Sequence, residues 1–535
     1  MVRLTPAFKT LSFFTLFATT LSADVFYTFN IQNANIAPDG FTRAAVTVNG
    51  VFPGTLIQAT KNDVLHITVN NQLTNPNMRR STSIHWHGLF QGRTASEDVT
   101  AMVTQCPIAP GNSYTYDIPL NGQSGTHWYH SHLSSQYVDG LRGTIVVYDP
   151  TDPHAALYDE DNANTVIQLG DWYHLAAPGI QATYMAGNHE PVPDSGTING
   201  IGRYVGGPSV TRARVNVVQG KKYRLRIVNI SAYGSFLFSV ESHKLTIIEV
   251  DGVNHVAKTV DGFNIYAGQR YSAVLHANQP VRNYWIRAPM DLQHHSDNDN
   301  RTLDEEDVYA VLHYDGAPNA QPSTRADRDP DDVLQEYQLA PLENPGPPGG
   351  SGPADRVIDL EFSRSTSGGT KWMFNGIQYH SPNIPTLLKI MSGATLPSDF
   401  ATTEHTLVLN HNEVVELHLH GSANGMHVCR PLIDRTLNLH GHAFDVIQGN
   451  SGPANYVNPP RRDVVAIKGG TGIIRFRADN PGPWFLHCHW HLEAGLAVVF
   501  AEAPAEQRSG PTAQIIKQEW LDLCPIYDAL PAALQ

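Results

Sequence analysis

The run Trp484-Phe-Leu-His487-Cys488-His489-Trp490-His491-Leu492-Glu493-Ala494-Gly495-Leu496 holds the densest chemistry in the chain. Side chains of an extended strand alternate between two faces, so His487 and His489 share one face and Cys488 takes the other. Thiolate and imidazole ligands suit copper, zinc or iron. One short strand can therefore serve two metal sites, and the covalent chain between them is a route for electrons. A mononuclear copper centre on Cys488 needs two imidazoles and a weak axial neighbour. His491 is one candidate and Leu496 the non-bonding axial residue. On a straight strand His491 would face away from Cys488, so the chain has to bend after His489, and Glu493-Ala494-Gly495 does not obviously force that. The second imidazole is expected from a neighbouring strand, with His427 best placed in sequence.

The chain repeats this pattern. Gly125-Thr-His-Trp-Tyr-His130-Ser131-His132 lies without a gap on Gly482-Pro-Trp-Phe-Leu-His487-Cys488-His489, with Ser131 where Cys488 stands. His85-Trp-His87-Gly88 lies on Asn438-Leu-His440-Gly441. His130 follows His87 by 43 positions, and His487 follows His440 by 47. The matched motifs supply His85, His87, His130, His132, His440, His487 and His489. The eighth position holds Asn438, a poor copper ligand. Imidazoles converging from two domains would suit a cluster of several coppers, with one metal under-coordinated. His418-Leu-His420 also has ligand spacing but no counterpart in the first copy, so it reads as a pair of ordinary strand histidines. His442, His127 and the His294-His295 pair read the same way.

The elements that must position these residues are strands. Val64–Val69, Thr144–Tyr148, Thr165–Leu169, Tyr223–Val228 and Leu245–Val250 are short alternating segments between Gly, Pro and Asn. No long helical period interrupts them. The pattern predicts an all-β chain of three antiparallel sandwiches: 24–150 with ligands, 151–316 without, and a third within 317–535 after an acidic, Pro/Gly-rich linker at Asp327–Pro353.

A net charge of −14 without any basic block argues against nucleic acid or an anionic membrane as partner. Residues 1–23 carry Arg3 and Lys9 ahead of an apolar run too short to span a bilayer, ending Leu21-Ser22-Ala23, which reads as a secretory signal peptide. A soluble, exported protein is expected, with a monomer as the simplest state. If Cys488 binds metal, three cysteines remain, and Cys106 with Cys524 is the expected disulfide, tying an early segment to the C-terminus in an oxidising compartment and leaving Cys429 unpaired. Asn229-Ile-Ser and Asn300-Arg-Thr match the glycosylation pattern.

At Ser83-Ile-His-Trp-His-Gly88, Gly125–Gly143, Leu439-His-Gly-His-Ala-Phe444 and Asn480–His489 the sequence resembles the fungal laccases, three-domain multicopper oxidases of the cupredoxin kind, and the likeness runs from about Asp24 onward. The resemblance implies one-electron oxidation of phenols or aromatic amines at a type-1 copper. Electrons would pass through Cys488, His487 and His489 to a trinuclear cluster that reduces dioxygen to water. By motif match His85 would serve the type-2 copper, and His87, His130, His132, His440, His487 and His489 the type-3 pair. Asp98 matches an acid near the cluster, a proton donor.

Three departures stand against the family pattern. Residues 428–438 replace part of the third motif and remove a type-2 ligand; three positions rather than five separate Cys488 from His491; and Tyr233 stands where many members carry a substrate-side carboxylate. The first two are abrupt and local, as misread splice junctions would leave them. The alternative expectation is a secreted copper-binding homologue with impaired or no turnover. A ferroxidase is disfavoured by Tyr233.

Overall fold

The computed structural model describes residues 22–187, 190–292, 302–325, 329–343, 345–421, 435–467, 470–489, 491–531 and 534. His427, Cys429, His294, His295, Asn300 and nearly all of the expected leader lie outside them.

Strand alternation builds the first core. In Val64–Asn71, Leu65, Ile67 and Val69 are fully buried, and the intervening residues are half-buried. Such strands assemble into six sheets that fall into three pairs. The first pair comprises four strands ordered Arg43–Val48, Asp24–Ile36, Val64–Asn71, Ser113–Pro119 and four ordered Ile57–Thr60, Arg142–Tyr148, Gly125–Ser131, Ile84–His87. The middle pair extends from Val166–Trp172 to the two-residue strand Val333–Leu334, which the expected linker contributes. The third pair runs from Arg356–Ser365 to Ala497–Glu502. This is the cupredoxin-like all-β architecture that the family resemblance implies, but the sandwiches are not purely antiparallel as the alternation suggests: Asp24–Ile36 pairs parallel with Val64–Asn71, Ile57–Thr60 with Arg142–Tyr148, and Arg356–Ser365 with Val414–His420. The helices are short: Ala177–Met185, Thr386–Met391 and Gln518–Asp528. None among the described residues is long and apolar enough to cross a membrane.

The sequence repeat reappears as sheet register. Ile84–His87 pairs antiparallel with Gly125–Ser131, placing His85 opposite His130. Arg435–Leu439 pairs antiparallel with Pro483–Cys488, placing Asn438 opposite His487. Residues aligned by sequence therefore occupy equivalent places in two sheets. Both strand pairs are buried on both faces. Ile84, Trp86 and Tyr129 point into the first core, and Leu486 and Cys488 into the third. The histidines take the opposite face, where the neighbouring sandwich covers them instead of water.

Covalent and ionic clamps hold the sandwiches together. The C-terminal helix lays Trp520, Leu523 and Tyr527 on the first core, Trp520 Nε1 donates to Thr104 O at 3.0 Å, and Cys106–Cys524 closes a span of 418 residues. That is the disulfide expected from the sequence. Fully buried Arg270 donates to Thr126 O of the first sandwich at 3.0 Å and grips both oxygens of Asp463 in the third at 2.6 Å each. Planar, bidentate pairing of this kind fixes orientation as well as distance.

The glycosylation reading fails at Asn229. Its side chain is fully buried, and Nδ2 donates to Gly234 O and Ile265 O, so the amide is not available to a glycosyl transferase.

Replacing Cys106 and Cys524 together by serine should cost about 2–5 kcal/mol of stability, because the unfolded chain regains the entropy the crosslink removes. Thermal unfolding of the double variant is the measurement, and an unchanged transition would show that the helix needs no covalent clamp.

Candidate metal centres

Seven histidines meet between the first and third sandwiches, every one at most 5% exposed. Ligand atoms of His85, His87 and His130 lie within 4.8 Å of one another, as do those of His132, His440 and His487. His487 Nε2 stands 3.2 Å from His132 Nε2 and 3.1 Å from His440 Nε2. The His489 ring is 4.9 Å from that of His130 and 5.8 Å from that of His87. The cluster therefore draws on both copies of the repeat, with His489 closing the side next to His87 and His130. Asn438 reaches the same space, its Nδ2 3.5 Å from His87 Nδ1.

The donor set fits metal ions. Nε2 of His85, His130 and His489 is buried without a hydrogen-bond partner, while His87 turns Nδ1 to the shared space and Nε2 towards Asp463 Oδ1 at 3.6 Å. Leaving a buried polar atom unsatisfied costs about 1–3 kcal/mol, so several such atoms in one space call for a cation. Burial, reinforced by neighbouring positive charge, lowers the pKa of His87, His130, His132 and His487 far below the usual histidine range. The same causes bring His489 to about 3. Burial and the neighbouring His85 bring His440 to about 4 although Asp98 opposes them. All six are thus neutral at ordinary pH, the form that ligates metal.

Asp98 sits behind the cluster. Its Oδ2 is 2.9 Å from His440 Nδ1 and accepts from Thr100 Oγ1 at 3.2 Å, and its backbone carbonyl is 2.8 Å from His85 Nδ1. Burial opposes ionisation here, but His440 and His85 outweigh it and hold the carboxyl well below its usual range. These contacts turn Nε2 of both rings towards the shared space, the usual task of groups behind a metal ligand. A cavity of about 500 Å³, lined by Arg79, Arg80, Tyr379 and Glu493, opens onto His132.

Cys488 lies on the reverse of the same strand, 2% exposed. Its Sγ is 3.2 Å from His491 Nδ1. The bend that the sequence did not disclose is real: the strand stops at Cys488, Leu496 N donates to His491 O and Cys488 N donates to Leu496 O, both at 3.1 Å. Gly495 makes the turn possible. Its φ is +105°, and a Cβ there would lie 2.3 Å from Gln378 Cγ and 3.0 Å from Trp372 O. Leu496 is fully buried in the apolar cluster that includes Cys488. In the first copy Ser131, standing where Cys488 does, donates instead to Gln136 Oε1 at 2.7 Å.

One residue here had no signal in the sequence. Glu190, following the helix Ala177–Met185, places Oε1 3.2 Å from His491 Nε2, while the His491 ring packs against Trp372 at 4.4 Å between centroids. Tyr233 uses its hydroxyl to bond Leu292 O at 3.3 Å. His442 faces buried Glu502 at 3.2 Å, and His127 lies 3.3 Å from Ser124 O, outside the three-ligand groups.

Paired β-sandwiches with a shared histidine cluster and a cysteine on the reverse of a cluster strand define a multicopper oxidase. Multicopper oxidase family models match residues 30–152, 163–317 and 379–506. The chain is 54% identical to Laccase-4 of Thanatephorus cucumeris, over 91% of this chain and 92% of that one, and 48% identical to Laccase-2 of Agaricus bisporus, over 95% and 96%. Among solved structures it is similar to a laccase from Botrytis aclada, at 32% identity, a TM-score of 0.81 and coverage of 96% and 93%. Fet3p, described as a multicopper oxidase that functions in iron import, superposes with a TM-score of 0.82 at 29% identity, over 94% and 95%. The chain belongs to the laccases of the multicopper oxidase family. It is a copper-binding, laccase-type oxidoreductase.

The lowered histidines set a pH dependence. An unfolded chain carries histidines near about 6.5, so as pH falls it takes up protons before the folded chain does. Stability of the metal-free protein from this source is complete above that value and is lost as pH falls towards about 3, the value for His489. The urea midpoint of the metal-free protein should drop between pH 6.5 and 4, and His489→Gln should flatten the slope. An equal slope in the variant would contradict the assignment of a neutral, buried His489.

Proposed function

We propose that the protein is a secreted laccase that oxidises phenols or aromatic amines one electron at a time and reduces dioxygen to water. The observation that carries this reading is the single strand Pro483–Cys488, which puts Cys488 into one space and His487, with His489 directly after it, into another. Cys488 and His491 would hold a type-1 copper with Leu496 as its non-bonding neighbour; His427 is the remaining candidate. His85 would hold the type-2 copper. His87, His130 and His489, and His132, His440 and His487, would hold the type-3 pair. When bound, copper supplies the one-electron couple for the phenol and the site at which dioxygen takes up four electrons and four protons.

The chain's own groups supply position and protons. Cys488 is bonded through the backbone to both flanking histidines, which makes the peptide the shortest link between the two sites. Glu190 beside His491 Nε2 is placed to orient a phenol hydroxyl, the task that Tyr233 cannot perform as a carboxylate would. Asp98, its Oδ1 3.3 Å from His85 Nδ1, would hand protons on to the cluster only in passing, returning at once to the charged form that His440 and His85 favour. The cavity at His132 is the path by which dioxygen enters. The domains correspond to 24–150, 151–316 and 317–535, the last including the linker whose strand Val333–Leu334 joins the middle sandwich before the third begins at Arg356–Ser365; residues 1–23 serve as the export signal, and the protein acts as a monomer.

A second reading rests on Asn438, which gives the cluster an amide where an imidazole is expected: a copper-binding homologue without turnover. Copper reconstitution of the purified protein separates the two. The first requires blue colour and oxygen uptake with a phenol; blue colour without uptake supports the second.

Cys488→Ser should abolish the blue absorption while copper in the histidine cluster persists, and a blue variant would overturn the placement of that copper. Asp98→Asn should lower kcat by about 10²-fold or more, as loss of a proton-transfer group does, with KM for the phenol unchanged. Steady-state oxygen uptake checks it, and a rise in KM alone would assign Asp98 to substrate binding instead.

A further inference from the structure

Far from the buried cluster in its surroundings, a second group of ligands stands on an outer sheet face. Asp359, His418 and His420 bring one ligand atom each within 4.8 Å of one another. The strand Val414–His420 runs parallel to Arg356–Ser365, with Asp359 opposite His418. Leu417, Leu419 and Leu360 are fully buried in the third core. Alternation therefore turns Glu416, His418, His420 and Asp359 to the other face. Their placement follows from two core strands of one sheet rather than from a loop.

The wiring of the two imidazoles is what distinguishes this group from a chance surface pair. Each ring is held at one nitrogen and directed at a common point with the other. His418 Nε2 lies 2.8 Å from Glu416 Oε1, and Glu416 Oε2 accepts from Arg475 at 2.8 and 2.5 Å. His420 Nδ1 lies 3.1 Å from Thr471 Oγ1. The remaining nitrogens, His418 Nδ1 and His420 Nε2, approach the same atom, Asp359 Oδ1, at 3.5 and 2.7 Å. Metal-ligating histidines are held in this way, the far nitrogen tied to a carboxylate or hydroxyl so that the near one points at the ion. The three side chains are 28%, 35% and 63% exposed for His418, His420 and Asp359, so water and ions reach them freely.

We propose that Asp359, His418 and His420 form an exchangeable surface site for a divalent transition-metal ion, with zinc as the best-suited occupant. Two imidazoles and one carboxylate with an open position for water match a four-coordinate zinc site, and the set lacks the thiolate of the Cys488 centre. The competing arrangement is a proton shared between Asp359 and the two rings, with no affinity for metal. The site stands apart from phenol oxidation and does not rest on that reading.

Equilibrium dialysis of the copper-loaded protein against zinc tests the proposal, with phenol oxidation followed in parallel. One zinc per chain should be taken up saturably beyond the resident metal. The double variant His418→Gln/His420→Gln should lose that zinc and keep its folded circular dichroism spectrum and its oxidase rate. Glu416→Gln, which leaves all three ligands and removes the carboxylate behind His418, should weaken zinc binding by about 10–100-fold. Absence of saturable uptake by the unaltered protein would overturn the proposal, and so would equal uptake by the double variant.

Discussion

Seven imidazoles packed against one another in a buried seam are the constraint around which this chain is organised. Neutral rings crowded at 3.1–3.2 Å between nitrogens, several with an unsatisfied buried atom, are unfavourable in a folded protein until a cation occupies the space. The surrounding structure is arranged to impose that crowding. Strands buried on both faces present histidines on the side away from their own cores. Arg270 ties the first and third sandwiches through Thr126 and Asp463, and the Cys106–Cys524 link returns the end of the chain to the first core. Relaxing any of these clamps would let the seam open towards water and the rings disperse.

The two copies of the repeat illustrate how one scaffold yields different chemistry through the residue on the reverse face. At Ser131 the hydroxyl on that face is spent within the protein, donating to Gln136 Oε1 and accepting from Leu133 N. At Cys488 a soft sulfur meets an imidazole, brought round by a turn that only Gly495 can make. The difference is local, yet it decides which copy offers a sulfur donor on its reverse face. Glu190 then places, from a loop after the helix Ala177–Met185, a carboxylate 3.2 Å from His491 Nε2.

Asp98 and Glu416 apply the same device in different surroundings. Each carboxylate sits behind a histidine and fixes which ring nitrogen faces outward. In the buried seam the pairing also keeps a negative charge close to where cations gather. On the outer sheet Glu416 is itself buried against Arg475, and only the His418 ring that it holds reaches towards solvent.

The sequence alone determined the strand alternation, the duplicated His-x-His motifs, the ligand-poor middle region and the cysteine between two histidines, because these depend on a period of two along the chain and on residue type. It likewise led to the expectation of Cys106–Cys524, a crosslink from an early segment to the C-terminus, although a third cysteine, Cys429, was also free to pair. It could not fix the position of His491, which hangs on a turn set by tertiary contacts around Gly495, nor the approach of Glu190. It matched Asn229 to the glycosylation pattern, which cannot show that the fold buries its amide, and it read His418 and His420 as ordinary strand histidines because Asp359 joins them only through sheet pairing. Spacing along a strand is written in covalent geometry; which strands become neighbours, and which faces lose their water, is decided only when the sandwiches pack.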